Sequence, residues 1–221
     1  MIVAFEGIDG AGKSTAGPLV VAKLVEWGYA AKFAAKRAPG VSDPFAQEQL
    51  SAISERLWGI PHDARLDSLG TAHWIYLNAA FFAGTHSAFS TQADSDQIVV
   101  FDNWINKFVT RILNTSSYQI EDISAVLRYV PQPDMVILLD VAPALAAQRK
   151  VDASELERGV LRNGRLDFVG YQSLIRASLL SLASLHEWSV IVVGDASPSE
   201  VAIDAANIVR ARIDANNNQR T

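Results

Sequence analysis

Residues 2–6 are a short apolar run that leads directly into Gly7-Ile8-Asp9-Gly10-Ala11-Gly12-Lys13-Ser14-Thr15, a G-x-x-x-x-G-K-S pattern. No other stretch limits the possible folds of this chain so strongly. Such a loop needs a strand before it and a helix after it, and both patterns are present. The apolar run predicts a buried strand, and apolar positions recur at helical spacing over 13–27, with Gly28 as the stop. Gly7, Gly10 and Gly12 let successive backbone N–H groups turn inward, which Cβ-bearing residues at the tightest points would obstruct. The helix adds its positive N-terminal end to the same cavity. Lys13 is then placed to reach β- and γ-phosphates and Ser14 to offer its hydroxyl to Mg²⁺, which points to ATP as a ligand.

The remaining pattern alternates strands with helices. Strands are expected at 30–35, 97–101, 135–140 and 190–193. Helices are expected from Asp43-Pro44 to about 57, over 65–89, in a mixed stretch reaching 129, and over 143–150 and 168–187. Ser197-Pro198-Ser199-Glu200 is a capping box that opens a C-terminal helix. Pro18 interrupts the first helix and is expected to cost about 3 kcal/mol or to kink it. A single domain is expected over 1–214, with a polar, charged lid at 151–166 and a frayed polar tail at 215–221. Five strands separated by helices predict a mostly parallel α/β sheet covered on both faces. Ligands gather beyond the carboxyl ends of such strands, where Gly7, Lys36-Arg37, Asp102 and Asp140 fall.

Composition narrows the function classes. A net charge of −5 gives no basic stripe for nucleic acid and no attraction to anionic membrane. The chain has no cysteine, which excludes disulfides, thiol catalysis and Cys-based zinc sites. His62, His73, His86 and His186 lack metal-ligand spacing and read as structural. A strand starting at residue 2 leaves no room for a signal peptide, and no apolar run approaches the ~20 residues of a membrane span. A cytoplasmic protein is expected.

The loop from Phe5 to Thr15 resembles that of the thymidylate kinases, nucleoside monophosphate kinases that phosphorylate dTMP with ATP and Mg²⁺. Arg37-Ala38-Pro39-Gly40 is similar to that family's R-E-P-G-G element, with Ala38 in place of Glu. Pro133-Asp134 and Ile137-Leu138-Leu139-Asp140-Val141-Ala142-Pro143 resemble its P-D…Y-L-D-V-x-P strand and turn. The segment 168–183 is similar to the helix after its lid. The likeness spans roughly 1–187 and implies a P-loop kinase sheet of order 2-3-1-4-5 and a homodimer. Two departures stand out. Asn103-Trp104 follow Asp102 where the family carries Arg and an aromatic, and Ala80 stands where it places a base-recognising arginine. The lid is also shorter than usual.

The resemblance assigns roles residue by residue. Gly7, Asp9, Gly10, Ala11, Gly12, Lys13, Ser14, Thr15 and Arg149 would hold ATP, and Asp9 would face the acceptor. Asp102 would support Mg²⁺, with Ser14, and the substrate; its plainer reading is a helix-capping aspartate. Arg37 would hold the acceptor phosphate through two parallel donors, and Tyr76 would stack on the base unless it is core. Arg149, Arg158, Arg162 and Arg165 lie in or beside the lid, where cations meet the γ-phosphate, and Arg158 and Arg162 are the candidates for catalysis. Arg111, two helical turns past Asp102, is a candidate for the missing cation. The expected reaction is ATP-dependent phosphorylation of dTMP or a related or modified pyrimidine deoxynucleotide. The alternatives are a P-loop kinase for a nucleoside or a modified base in DNA, and a nucleotide-binding protein without catalysis.

Overall fold

Each strand alternates its side chains between two helical layers, so one sheet supports two separate cores. The computed structural model describes residues 1–37, 39–60, 66–91, 97–149, 160–161, 164–165 and 167–218, with the backbone alone at 66–67, 160–161 and 164–165. Five parallel strands, β1 (Ile2–Glu6), β2 (Ala31–Ala34), β3 (Ile98–Phe101), β4 (Met135–Asp140) and β7 (Ser189–Val192), stand in the order β2-β3-β1-β4-β7. With the strands of this sheet counted in sequence, that is the expected 2-3-1-4-5. The register sets Ala4 beside Phe101 on one side and Val136 on the other. A small antiparallel hairpin, β5 (Val160–Leu161) with β6 (Gly164–Arg165), lies within the expected lid segment.

Val3 and Phe5 of β1 pack under α1 (Lys13–Glu26), α7 (Phe168–Leu185) and α8 (Pro198–Asn218). Ile2 and Ala4 point the other way, into a core built with α2 (Pro44–Trp58), α3 (Gly70–Thr91), α4 (Asn106–Thr115) and α5 (Ile120–Leu127). α6 (Pro143–Arg149) follows β4. Glu6 shares the face of Ile2 and Ala4, so the period of the strand directs a carboxyl group into the α4 side.

The helix ends follow their local chemistry. Asp43 Oδ1 accepts from the Ala46 N–H at 2.7 Å, and Pro44 opens α2. Gly28 closes α1: its N–H reaches Val25 O, and the Tyr29 N–H reaches Leu24 O. Gly17 allows α1 to settle on β2, since a Cβ there would lie 2.3 Å from the Phe33 ring. Pro18 does not break α1. It deprives the Ser14 carbonyl of its helical donor at a turn where Ser14 and Pro18 are both exposed. Two expectations change. The mixed stretch to 129 divides into α4 and α5, and the polar tail remains helical through Asn218, with only 219–221 beyond the described residues. Among the described residues no helix is long and apolar enough to cross a membrane.

Candidate active site

The phosphate-binding loop occupies the expected place, between the carboxyl end of β1 and the start of α1. Close approaches explain two of its three glycines. Gly7 has φ +149°, and a Cβ there would lie 2.7 Å from Leu139 O; Gly10 has φ +83°, and a Cβ there would lie 2.9 Å from Ala146 O. The loop is therefore wedged against β4 and α6. Ala11 is buried beneath it, while Ser14 and Thr15 are exposed at the first turn of α1. Lys13 Nζ folds back over the loop and donates to Gly7 O and Ile8 O, both at 2.8 Å. Its side chain keeps some contact with solvent, but desolvation of the ammonium outweighs Asp9 and its other partners and lowers its pKa to about 8.

Asp9 is the hub of the site. Its carboxylate accepts from Lys107 Nζ, from Arg111 Nη2 at 2.7 Å and from Gln172 Nε2 at 3.2 Å. Its backbone N–H donates to Gln172 Oε1 at 3.1 Å. Burial alone would raise its pKa, but Lys107, Arg111 and Lys13 together hold it well below the usual carboxylate range. This bonding is more than a loop-capping aspartate would need, because it ties the loop to α4 and α7. Arg111, the candidate for the missing cation, is bound to this carboxylate. Lys107 and Lys36 lie in the same field, and desolvation is the first cause that lowers the pKa of each.

Asp102 is 7% exposed at the end of β3, where its Oδ1 accepts the Lys36 N–H at 3.0 Å. It also acts electrostatically on Lys13 and Lys36, so it belongs to the cluster. Glu6 is fully buried beneath the loop. Neither its carboxyl oxygens nor Asn106 Nδ2 makes a well-formed hydrogen bond, although Glu6 and Asn106 are neighbours. Burial pushes the Glu6 carboxyl up to about 7 against the opposing pull of Lys13, Asn106 and Lys107.

Other expected residues lie elsewhere. Arg37 is exposed and donates to Trp58 O at the C-terminal end of α2, so Lys36 is the strand-end cation in the cluster. Tyr76 is 63% exposed and is not core. Asn103 Nδ2 donates to Trp104 O at 2.8 Å, and Trp104 is fully buried against Phe82 and Phe101. Asp140 is held by Arg176, whose Nη2 lies 2.7 Å from Oδ2, and this pins α7 to the end of β4. Arg149, the last residue of α6, donates to Gly194 O at 2.9 Å. Arg158, Arg162, His62 and Ala38 lie outside the described residues, and only the backbone of Arg165 is described. Lys107 and Gln172 were not singled out by the sequence, and Lys36 was placed at the strand ends without a ligand role of its own. The signal available for Lys107 was a lysine opening the helix that follows Asp102.

No protein-family model matches the chain. A probable thymidylate kinase of Sulfolobus acidocaldarius is 30% identical over 215 residues, covering 94% of this chain and 95% of that protein. With that likeness running through nearly its whole length, the chain belongs to the thymidylate kinase family.

Proposed function

We propose that this protein transfers the γ-phosphoryl group of ATP to the phosphate of a nucleoside monophosphate, with dTMP or a related pyrimidine deoxynucleotide as acceptor. The observation that carries this reading is the convergence of four cations, Lys13, Lys36, Lys107 and Arg111, on Asp9 beside the phosphate-binding loop of an acidic chain. An acceptor phosphate oxygen attacks the γ-phosphorus in line. The bond to the bridging oxygen breaks, and ADP leaves with the electron pair. No covalent bond to the protein is needed. The acceptor phosphate is largely ionised near neutrality, so positioning and positive charge supply most of the catalysis.

The loop N–H groups and Lys13 would hold the ATP phosphates, with Lys13 leaving the Gly7 and Ile8 carbonyls to do so. Among the described residues no three acidic or histidine side chains form a metal cage. The exposed Ser14 hydroxyl and the Asp102 carboxylate fit Mg²⁺, which takes few protein oxygens and completes its shell with phosphates and water. When bound, Mg²⁺ would neutralise charge on the β- and γ-phosphates.

The test is ADP production from Mg·ATP against a panel of ordinary and 5-modified nucleoside monophosphates, with Lys13→Ala as the blank. Acceptor-dependent ADP formation with dTMP is the expected result. Silence across the panel while ATP still binds would overturn the reading.

A further inference from the structure

On the phosphotransfer reading above, we propose that Lys107, assisted by Lys36, binds the acceptor's phosphate, so that α4 carries anion recognition in this chain. Lys107 is 6% exposed, and its ammonium has three donors. Among the described residues it makes one hydrogen bond, to Asp9. A buried ammonium with two unmet donors is costly, and a phosphomonoester, which brings several acceptor oxygens and up to two negative charges, would meet both.

The surroundings of Lys107 are built for an anion. It is the second residue of α4, a helix of 10 residues with no acidic side chain in its first turn and no side-chain cap from Ile105. The positive end of that helix therefore adds to the field. The Lys36 ammonium makes no hydrogen bond among the described residues. It lies 5.8 Å from the centre of the Trp58 ring, and Asp102 and Asp9 are the carboxylates acting on it. Burial is the main cause that lowers the Lys107 pKa, with repulsion from Lys13 and Arg111 adding to it, and a dianion would relieve that repulsion.

The rival donors are engaged elsewhere. Arg37 is spent on the end of α2, and the Asn103 amide on its neighbour's carbonyl. Asp9 would give up part of its claim on Lys107 as the phosphate enters, while Arg111 and Gln172 keep its carboxylate in place.

The test saturates the loop with Mg²⁺ and a non-hydrolysable ATP analogue. Inorganic phosphate, dTMP and thymidine are then titrated calorimetrically into wild type, Lys107→Met and Lys107→Arg. Lys107→Met is expected to weaken phosphate and dTMP about 10- to 100-fold, with thymidine changed less than about twofold and Lys107→Arg recovering most of the loss. Equal losses for thymidine and dTMP would make Lys107 merely structural and overturn the proposal, as would undiminished phosphate affinity. If Lys107→Met does not fold, Lys36→Met is read in the same way, with about a tenfold loss expected and no loss overturning the proposal. Phosphate binding that needs Lys107 but supports no ADP formation would sink the phosphotransfer reading and leave this site standing. ADP formation from dTMP with full phosphate affinity in Lys107→Met would do the reverse.

Discussion

The two sides of the site are built in different ways. The proposed ATP side comes from nine consecutive residues, Gly7 to Thr15, whose backbone N–H groups and single lysine form one local structure. The proposed acceptor side draws Lys36 from the end of β2, Asp102 from the end of β3, Lys107 and Arg111 from α4 and Gln172 from α7. Asp9 belongs to both. A contiguous loop carries its function in its spacing, whereas a composite site exists only once the sheet has ordered its strands. Residues on the composite side could therefore be exchanged between elements without leaving a recognisable motif.

The largest effect that separates the two sides is expected from Lys13→Ala. It should lower kcat about 10²- to 10³-fold and leave dTMP affinity within about threefold. Equal losses in both would mean that the loop and the composite site act as one unit. Next comes Glu6→Gln, beneath both sides. Burial raises the Glu6 carboxyl from 4.5 to about 7, so between those values the folded protein holds a proton that the unfolded chain has released. Stability contributed by this group is therefore full below the lower value and falls as pH rises through the window, by up to about 3 kcal/mol. Glu6→Gln should remove that slope in urea denaturation across the window, and an unchanged slope would show that Glu6 titrates normally.

Gly10→Ala should destabilise the protein by about 1–3 kcal/mol, because it forces a side chain to adopt a positive φ and to meet Ala146. ATP affinity is expected to fall with it; unaltered affinity and stability would mean that α6 gives way easily. The smallest effect serves as the control. Asp43→Ala removes the cap of α2, at a cost of about 1 kcal/mol in thermal or urea unfolding, while kcat stays at the wild-type value. A fall in kcat would show that α2 communicates with the chemistry.

Much of the fold was legible because its signals are local. Hydrophobic period, Gly28 after α1, Asp43-Pro44 before α2 and Ser197 with Glu200 before α8 each depend on residues within a turn of one another. The reading weakened where a side chain's role depends on which element faces it. Arg37 and Lys36 are adjacent in sequence, yet one reaches a helix end and the other the cluster. Tyr76 lies in a helix so rich in aromatics that it read as core as readily as ligand, and only its place on α3 exposes it.

By itself the sequence determined a phosphate-binding loop between a strand and a helix, an α/β alternation, and the family to which those motifs point. Glycine conformation, capping and period act over a few residues, so they can be read before anything is packed. Tertiary structure alone decided that Asp9 gathers Lys107 and Arg111 from about a hundred positions away, and that Glu6 is shut beneath them. Charge interactions and desolvation depend on distance in space and on access to water, and neither is written in the order of the residues.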